Sequence, residues 1–339
     1  MLTLVLITIL VALIFDFVNG MNDAANSIAT IISTRILTPR GAVVWAATFN
    51  FVALFIFGVP VAKTIGKGIV SPDIISVYLV LAALLGAIIW AYFFCARFGI
   101  PVSSSHSLIG GLIGAGVVKG GFVALNAPGV IKVVSFIFLA PIIGMVLGYI
   151  IMVATLWIVR NSRPGKVDKI FRIGQLISSA SFSIGHGGND AQKTMGIIAM
   201  LLFSTKDIPF VRDYLYSYND LQIPFWVEIL ALSVIALGTL SGGMKIVKTM
   251  GVKLTHLKPI GGFSAETAGA FTLFGATAFG IPVSTTQTIA GAIMGVGTTR
   301  RLSAVRWGLA GNIITTWILT IPASAVISAI CYYLLSLAF

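Results

Sequence analysis

Apolar stretches long enough to span a bilayer alternate with short polar loops along the whole chain. About 20 apolar residues suffice to cross the hydrocarbon core. Residues 1–18 are apolar apart from Asp16, and a helical pattern resumes at 24–36. Spans follow at 41–62, 75–96 and 130–159, with Pro141 expected to bend the last. After a basic segment, 160–173, comes a second set: 174–203, 225–245, 262–280 and 307–338, the last carrying Pro322. The pattern predicts an all-α polytopic membrane protein with about 10–12 membrane segments.

Two polar interruptions recur. The first, Gly20-Met21-Asn22-Asp23-Ala24-Ala25-Asn26, returns as Gly187-Gly188-Asn189-Asp190-Ala191-Gln192-Lys193. The second, Phe98-Gly99-Ile100-Pro101-Val102-Ser103 followed by Ser104, Ser105 and His106, returns as Phe279-Gly280-Ile281-Pro282-Val283-Ser284 followed by Thr285, Thr286 and Gln287. Glycines 110, 114 and 116 recur as 291, 295 and 297 and are read as sites of close helix approach. Two motifs repeating in one order define two halves: repeat 1 at 1–159, a basic cytoplasmic linker at 160–173, and repeat 2 at 174–339. Each Asn-Asp motif is expected to break its span into two half-helices. Each serine element either crosses the membrane or forms a re-entrant hairpin.

A charge inside a bilayer is costly and marks function by default. Paired interruptions at matching places in two halves point to the binding site of a secondary transporter. Exposed N–H groups at a half-helix N-terminus favour an anion, while carbonyls with a carboxylate suit Na⁺ or H⁺. The amides of Asn22, Asn26 and Asn189 add donors and acceptors. The hydroxyls of 103–105 and 284–286 serve either as helix caps or as donors to an oxyanion. Lys193 needs an anionic partner, either Asp190 or a substrate. Glu266 is the best placed of the remaining acids to hold a cation or a proton.

Charge then orients the chain. Only 9% of residues are charged, against about 25% in soluble domains, and the net charge is +12. The basic residues lie in short loops rather than in one patch, which argues for a membrane topology and against nucleic acid. If each half crosses an odd number of times, one side collects Arg35, Arg40, Arg97, the basic residues of 160–173 and 245–258 (Lys253 among them), and Arg300, Arg301 and Arg306, fifteen in all. The other collects Lys63, Lys67, Lys119, Lys132, Lys206 and Arg212, six. The positive-inside rule then places the start of the chain outside and makes the second half an inverted repeat of the first. The first fifteen residues lack a basic leader and a small-residue cleavage site, so they are expected to begin the first membrane helix. Cys95 and Cys331 imply neither a disulfide nor a metal site. With no Walker loop, no Cys/His cluster and no nucleophile–base spacing, neither an enzyme nor direct use of ATP is expected.

The doubled Asn-Asp motif resembles the GxNDxxN signature of the inorganic phosphate transporter (PiT) family, and the paired Pro-Val-Ser elements match as well. The likeness runs over essentially the whole chain, with Met21 where many members have Ala. It implies cation-coupled phosphate uptake across the cell (plasma or inner) membrane by alternating access, through an inverted-repeat fold in contact with lipid, as a homodimer and without a cofactor. It carries substrate and cation roles onto Asn22, Asp23, Asn26, Asn189, Asp190 and the two hydroxyl clusters. Joined to the reading of the residues, the expected phosphate contacts are Asn22, Asn26, Ser103, Ser104, Ser105, Asn189, Lys193, Thr194, Ser284, Thr285, Thr286 and Gln287, and the expected cation contacts are Asn22, Asp23, Asn189, Asp190 and Glu266, with Na⁺ at Asp23 and Asp190. Na⁺ is preferred because oxygen ligands suit a hard cation. The alternatives are H⁺ coupling, sulfate or a metal–phosphate complex as cargo, and a passive anion channel.

Overall fold

The computed structural model describes residues 1–96, 101–242, 244–250 and 254–338, without the side chains of 94–96. Of the residues singled out above, the Cys95 side chain, Arg97, residues 98–100 and Lys253 lie outside the described residues. The chain is helical throughout: α1 Leu2–Ser33, α2 Pro39–Val52, α3 Pro60–Gly68, α4 Val77–Trp90, α5 Ser104–Gly120, α6 Ala127–Val159, α7 Pro164–Ser204, α8 Phe225–Ser241, α9 Met244–Lys248, α10 Pro259–Ala278, α11 Thr285–Thr298 and α12 Trp307–Ala338. Four of them open on a proline at the first turn, where no backbone donor is lost (Pro39, Pro60, Pro164 and Pro259). Side chains of Thr38, Ser76, Ser103, Asn126 and Ser284 accept from first-turn N–H groups and fix other starts.

Helices α1, α6 and α12 are each long and apolar enough to cross a bilayer alone. Their outward faces carry exposed Leu10, Ile14, Ile142, Ile150, Ile318 and Ile330, the mark of a surface solvated by lipid. Helices α4 and α8 are apolar but shorter. The segments Pro39–Phe55 and Pro60–Gly68 meet at 82°, a sharply bent span.

Each serine element closes a helical hairpin with the helix before it. Strand-like bonds join 69–71 to 124–126 (Ser71 N to Ala124 O, 2.8 Å; Asn126 N to Ile69 O, 3.0 Å), so the chain leaves α5 where it entered α4. Likewise Arg306 N donates to Leu254 O at 3.1 Å and Arg300 to His256 O at 3.2 Å, so α11 returns to the start of α10. The first mouth shares an apolar core with Val5, Ile9 and Ala12 of α1; the second shares one with Ile28 and Ile31. The hairpins therefore enter from opposite ends of α1.

Packing repeats between the halves. Helix α1 lies on α8 as α7 lies on α2, and α5 on α12 as α11 lies on α6. The repeated glycines make this contact. A Cβ on Gly110 or Gly114 would fall 2.5 Å from Ile321 O and 2.0 Å from Ala325 O of α12. On Gly291 or Gly295 it would fall 2.2 Å from Pro141 O and 2.0 Å from Met145 O of α6. Backbones this close exclude any side chain.

Two expectations fail. The Asn-Asp motifs do not break their helices: α1 and α7 run through them. The side chains of Asp23, Asn26, Asn189 and Asp190 find partners on other elements, so they do not compete with their own backbone ladder. The breaks fall instead at the Pro-Val-Ser elements and between α2 and α3. Nor is 160–173 a linker, because α7 starts at Pro164 and only 160–163 separate it from α6.

Candidate functional site

The four repeated motifs converge in one buried polar layer between the two apolar cores. Asp23, Asn26, Ser104, Ser105, Asn189, Asp190, Lys193, Thr285 and Thr286 are each at most 4% exposed, and Asn22 is 6% exposed. The hairpin tips touch there: Ser105 Oγ donates to Val283 O at 3.3 Å, and Thr286 Oγ1 reaches Val102 O at 3.5 Å.

Asp23 is gripped by both tips. Ser104 Oγ, from the first hairpin, lies 3.1 Å from Oδ2, and Thr286 Oγ1, from the second, lies 3.2 Å from Oδ1. Asn26, one turn on, donates to Thr286 Oγ1 at 2.9 Å and Thr285 Oγ1 at 3.3 Å. Asp190 accepts from Thr285 Oγ1 at 3.0 Å and pairs with Lys193. The three donors of Lys193 are all used: Asp190, Ser105 Oγ at 2.5 Å and Val283 O at 2.8 Å. Asn189 pins the second hairpin, donating to Thr277 Oγ1 at 3.0 Å and Ile281 O at 3.3 Å while accepting from Val283 N at 3.3 Å.

One ligand atom each from Asp23, His186 and Asp190 lie within 4.8 Å of one another. Lys193 balances one of the two carboxylates. Asp23 has hydroxyl donors but no cationic side chain bonded to it, so a cation placed between these oxygens would relieve their repulsion. Carboxylate and hydroxyl oxygens suit a hard ion, and the imidazole extends the set toward a divalent metal.

Several predicted residues do other work. Ser103 and Ser284 accept from His106 N and Gln287 N, each at 3.3 Å, and so cap α5 and α11. Gln287 lines a 210 Å³ apolar groove with Pro141, Trp307 and Trp317, away from the acids. Its contact with substrate is not supported, because the helix turns that side chain out between α6 and α12. Thr194 donates to Asp16 Oδ1 at 2.9 Å. Glu266 forms a separate cluster, accepting from Ser178 at 2.5 Å, Thr30 at 2.6 Å and Gln175 at 2.9 Å. Thr30 is seven residues beyond Asp23, about 10 Å along α1, so Glu266 does not join the central acids.

Sequence reading missed three residues. Asn19 accepts from Ser104 Oγ at 2.5 Å. His186 Nε2 is 3.3 Å from Asp190 Oδ2, while its Nδ1 faces Asn50 Oδ1 at 3.2 Å. Asn50 in turn donates to Thr239 at 2.9 Å. Asn19 and His186 each stand four residues before a motif acid, one turn away, a signal visible only once the motif is read as continuous helix.

A family model described as the phosphate transporter family matches residues 19–328. A probable low-affinity inorganic phosphate transporter of Rhizobium meliloti is 55% identical over 96% of this chain and 94% of its own length. One of Bacillus subtilis is 43% identical over 100% and 99%. A solved structure, the sodium-dependent phosphate transporter, superposes with a TM-score of 0.86 at 27% identity, covering 99% of this chain and 100% of that one.

Proposed function

The chain belongs to the phosphate transporter family, and from that footing we propose that it takes up inorganic phosphate by symport with Na⁺ through alternating access. The observation that carries the proposal is the grip on Asp23 by one hydroxyl from each hairpin. Na⁺ held at Asp23, and a second at Asp190, would draw both tips onto the site and supply positive charge beside the substrate. Phosphate would be held by Asn22, Asn26, Asn189 and the hydroxyls of Ser104, Ser105, Thr285 and Thr286. Lys193 would exchange one of its present partners for a phosphate oxygen. Inverted halves, hinged at these hairpins, would open the site to each side in turn.

Energetics support coupling. One charge crossing 100 mV is worth about 2.3 kcal/mol, so divalent phosphate entering an inside-negative cell opposes roughly twice that. Two Na⁺ cancel it, and their gradient supplies the net drive. The site would lie in the cell membrane with the start of α1 outside and the basic loops inside. A second reading, a divalent metal–phosphate complex as cargo, is favoured by His186 beside the two acids.

The test is reciprocal binding. Purified protein titrated with phosphate in Na⁺ and in K⁺ should bind it at least tenfold more tightly in Na⁺, and phosphate should tighten Na⁺ by the same factor. Equal affinities in the two salts would rule out Na⁺ as the coupled ion. Tightening by Mn²⁺ or Zn²⁺ alone would select the second reading.

A further inference from the structure

Asp16 is a buried acid that none of the foregoing uses. It is fully buried on α1, seven residues before Asp23 and so two turns toward the Leu2 end. One carboxylate oxygen accepts from Thr194 at 2.9 Å, and the other, Oδ2, has no hydrogen-bond partner. Every other carboxylate in the membrane core is better supplied. Glu266 accepts from three side chains, Asp23 has a hydroxyl within hydrogen-bond distance of each oxygen, and Asp190 accepts from Thr285 and the Lys193 ammonium.

The charges nearest Asp16 act on it in opposite senses, Asp190 against an anion and Lys193 for one. Helix α7 brings Asp190 and Lys193 near enough to act on it, and these two are paired with each other. Helix α7 also carries His186, itself paired with Asp190, and the ionisable groups on the other described elements packed against α1 are Glu228 of α8, Tyr78 of α4, Tyr92 of 91–96, Arg40 of α2, Lys245 and Lys248 of α9, and Glu266 of α10. Thr194 is the donor to Asp16 Oδ1, and Oδ2 has none. A buried carboxylate oxygen that no side-chain or backbone donor reaches disfavours the charged form. Two oxygen ligands are also too few for Na⁺, which leaves the proton.

The repeat sharpens the point. The mates of Asp16 and Thr194 in the other half are Ser183 and Ser27, both buried with unpartnered hydroxyls. A small hydroxyl therefore fills this place in the second half, and packing alone does not require an acid in the first.

We propose that Asp16 is a proton-binding site on the seam between α1 and α7, neutral while the site is closed and exchanging its proton with water when that seam opens. A proton would then travel with each transport cycle in addition to Na⁺. Only a proton is gained or lost at the carboxyl, and no other bond changes. This second step rests on the transport reading; the protonation itself does not.

The experiment has two arms on the full-length protein. Infrared spectra of the wild type at neutral pH should contain the carbonyl stretch of a protonated buried carboxyl that Asp16→Asn removes and Asp16→Glu shifts. In proteoliposomes with an inward Na⁺ gradient, at alkaline pH where phosphate is divalent, a luminal pH dye should record one H⁺ fewer per phosphate in Asp16→Asn than in wild type. An infrared spectrum untouched by Asp16→Asn would overturn the proton site. A lost band with an unchanged H⁺-to-phosphate ratio would reduce Asp16 to a permanently neutral structural carboxyl and overturn the carried proton. If Asp16→Asn does not yield folded protein, Asp16→Glu decides by whether its band shifts. A wild-type protein that moves no phosphate would defeat the transport reading, while the infrared arm would still judge the proton.

Discussion

Removing Asp190 should be far more damaging than removing it together with Lys193. The two form a buried ion pair, 0% and 2% exposed in their side chains. Asp190→Asn leaves the ammonium with Ser105 Oγ and Val283 O as acceptors but without a counter-charge. Breaking a buried pair in this way costs about 3–5 kcal/mol. The two remaining acceptors place this site near the lower end, about 3 kcal/mol, or roughly a hundredfold in the folded-to-unfolded ratio. Lys193→Met should lose a similar amount, because Asp190 then keeps only Thr285 and the nearby His186. The double variant, Asp190→Asn with Lys193→Met, should recover most of the loss, since replacing a whole buried pair by neutral groups is often neutral or stabilising. Heating each protein in detergent and measuring the fraction that stays monodisperse gives the ranking. Na⁺-driven phosphate uptake should stay absent in all three, because stability returns in the double variant without the ion site. Additive losses in the double variant, or an Asp190→Asn protein with wild-type uptake, would refute the reasoning.

Three other outcomes follow from the same contacts. Gly295→Ala should lower the yield of monodisperse protein sharply, because its Cβ would stand 2.0 Å from Met145 O and only a shift of α6 could admit it; overpacking of this kind costs about 1–3 kcal/mol or more. Gly165→Ala, with nothing within 4 Å, should be silent in the same assay. Ser104→Ala should reduce Na⁺-dependent uptake at least tenfold, since Ser104 bonds Asp23 and Asn19, whereas Ser103→Ala should remove a helix cap worth about 1 kcal/mol and leave most uptake intact. The surface pair Lys67–Asp220, at 2.9 Å, holds the Asp220 carboxyl below its ordinary value through the Lys67 hydrogen bond. Its small stabilisation is therefore present at neutral pH and fades as pH falls through the carboxylate range; thermal melts of wild type and Asp220→Asn should converge in acid.

Much of the architecture is legible in the residues. The duplicated order of motifs, the glycines that seat α5 on α12 and α11 on α6, and the sorting of Lys67 with Asp220 on one side and Arg35 with Arg172 on the other can all be read from spacing and charge. The position of the helix breaks cannot. Asn22, Asp23, Asn189 and Asp190 read as helix breakers in isolation, yet α1 and α7 stay continuous because hydroxyls at the hairpin tips, Ser104 and Thr286 for Asp23 and Thr285 for Asp190, meet the motif acids. Such partners lie up to 263 residues away in sequence, as with Asp23 and Thr286. The same long range hides the fate of the hydroxyl clusters. Within each run of three, the first residue caps its helix and the next two enter the polar layer, Ser104, Thr285 and Thr286 at the acids and Ser105 at Lys193, a division set by the helix start. Gln287 and Glu266 look equivalent to their neighbours by residue type, but helical phase turns one to a lipid-side groove and axial height removes the other from the central layer.

The central claim is that phosphate and Na⁺ move together through the layer between the hairpin tips. Radiolabelled phosphate uptake into proteoliposomes, driven by an inward Na⁺ gradient and compared with K⁺ at equal pH, tests it most directly, with Asp23→Asn as the control. Accumulation above the external concentration only with Na⁺, and none in Asp23→Asn, is the predicted result. Downhill equilibration that is indifferent to Na⁺, and unchanged in Asp23→Asn, would contradict symport and describe a passive anion pathway instead.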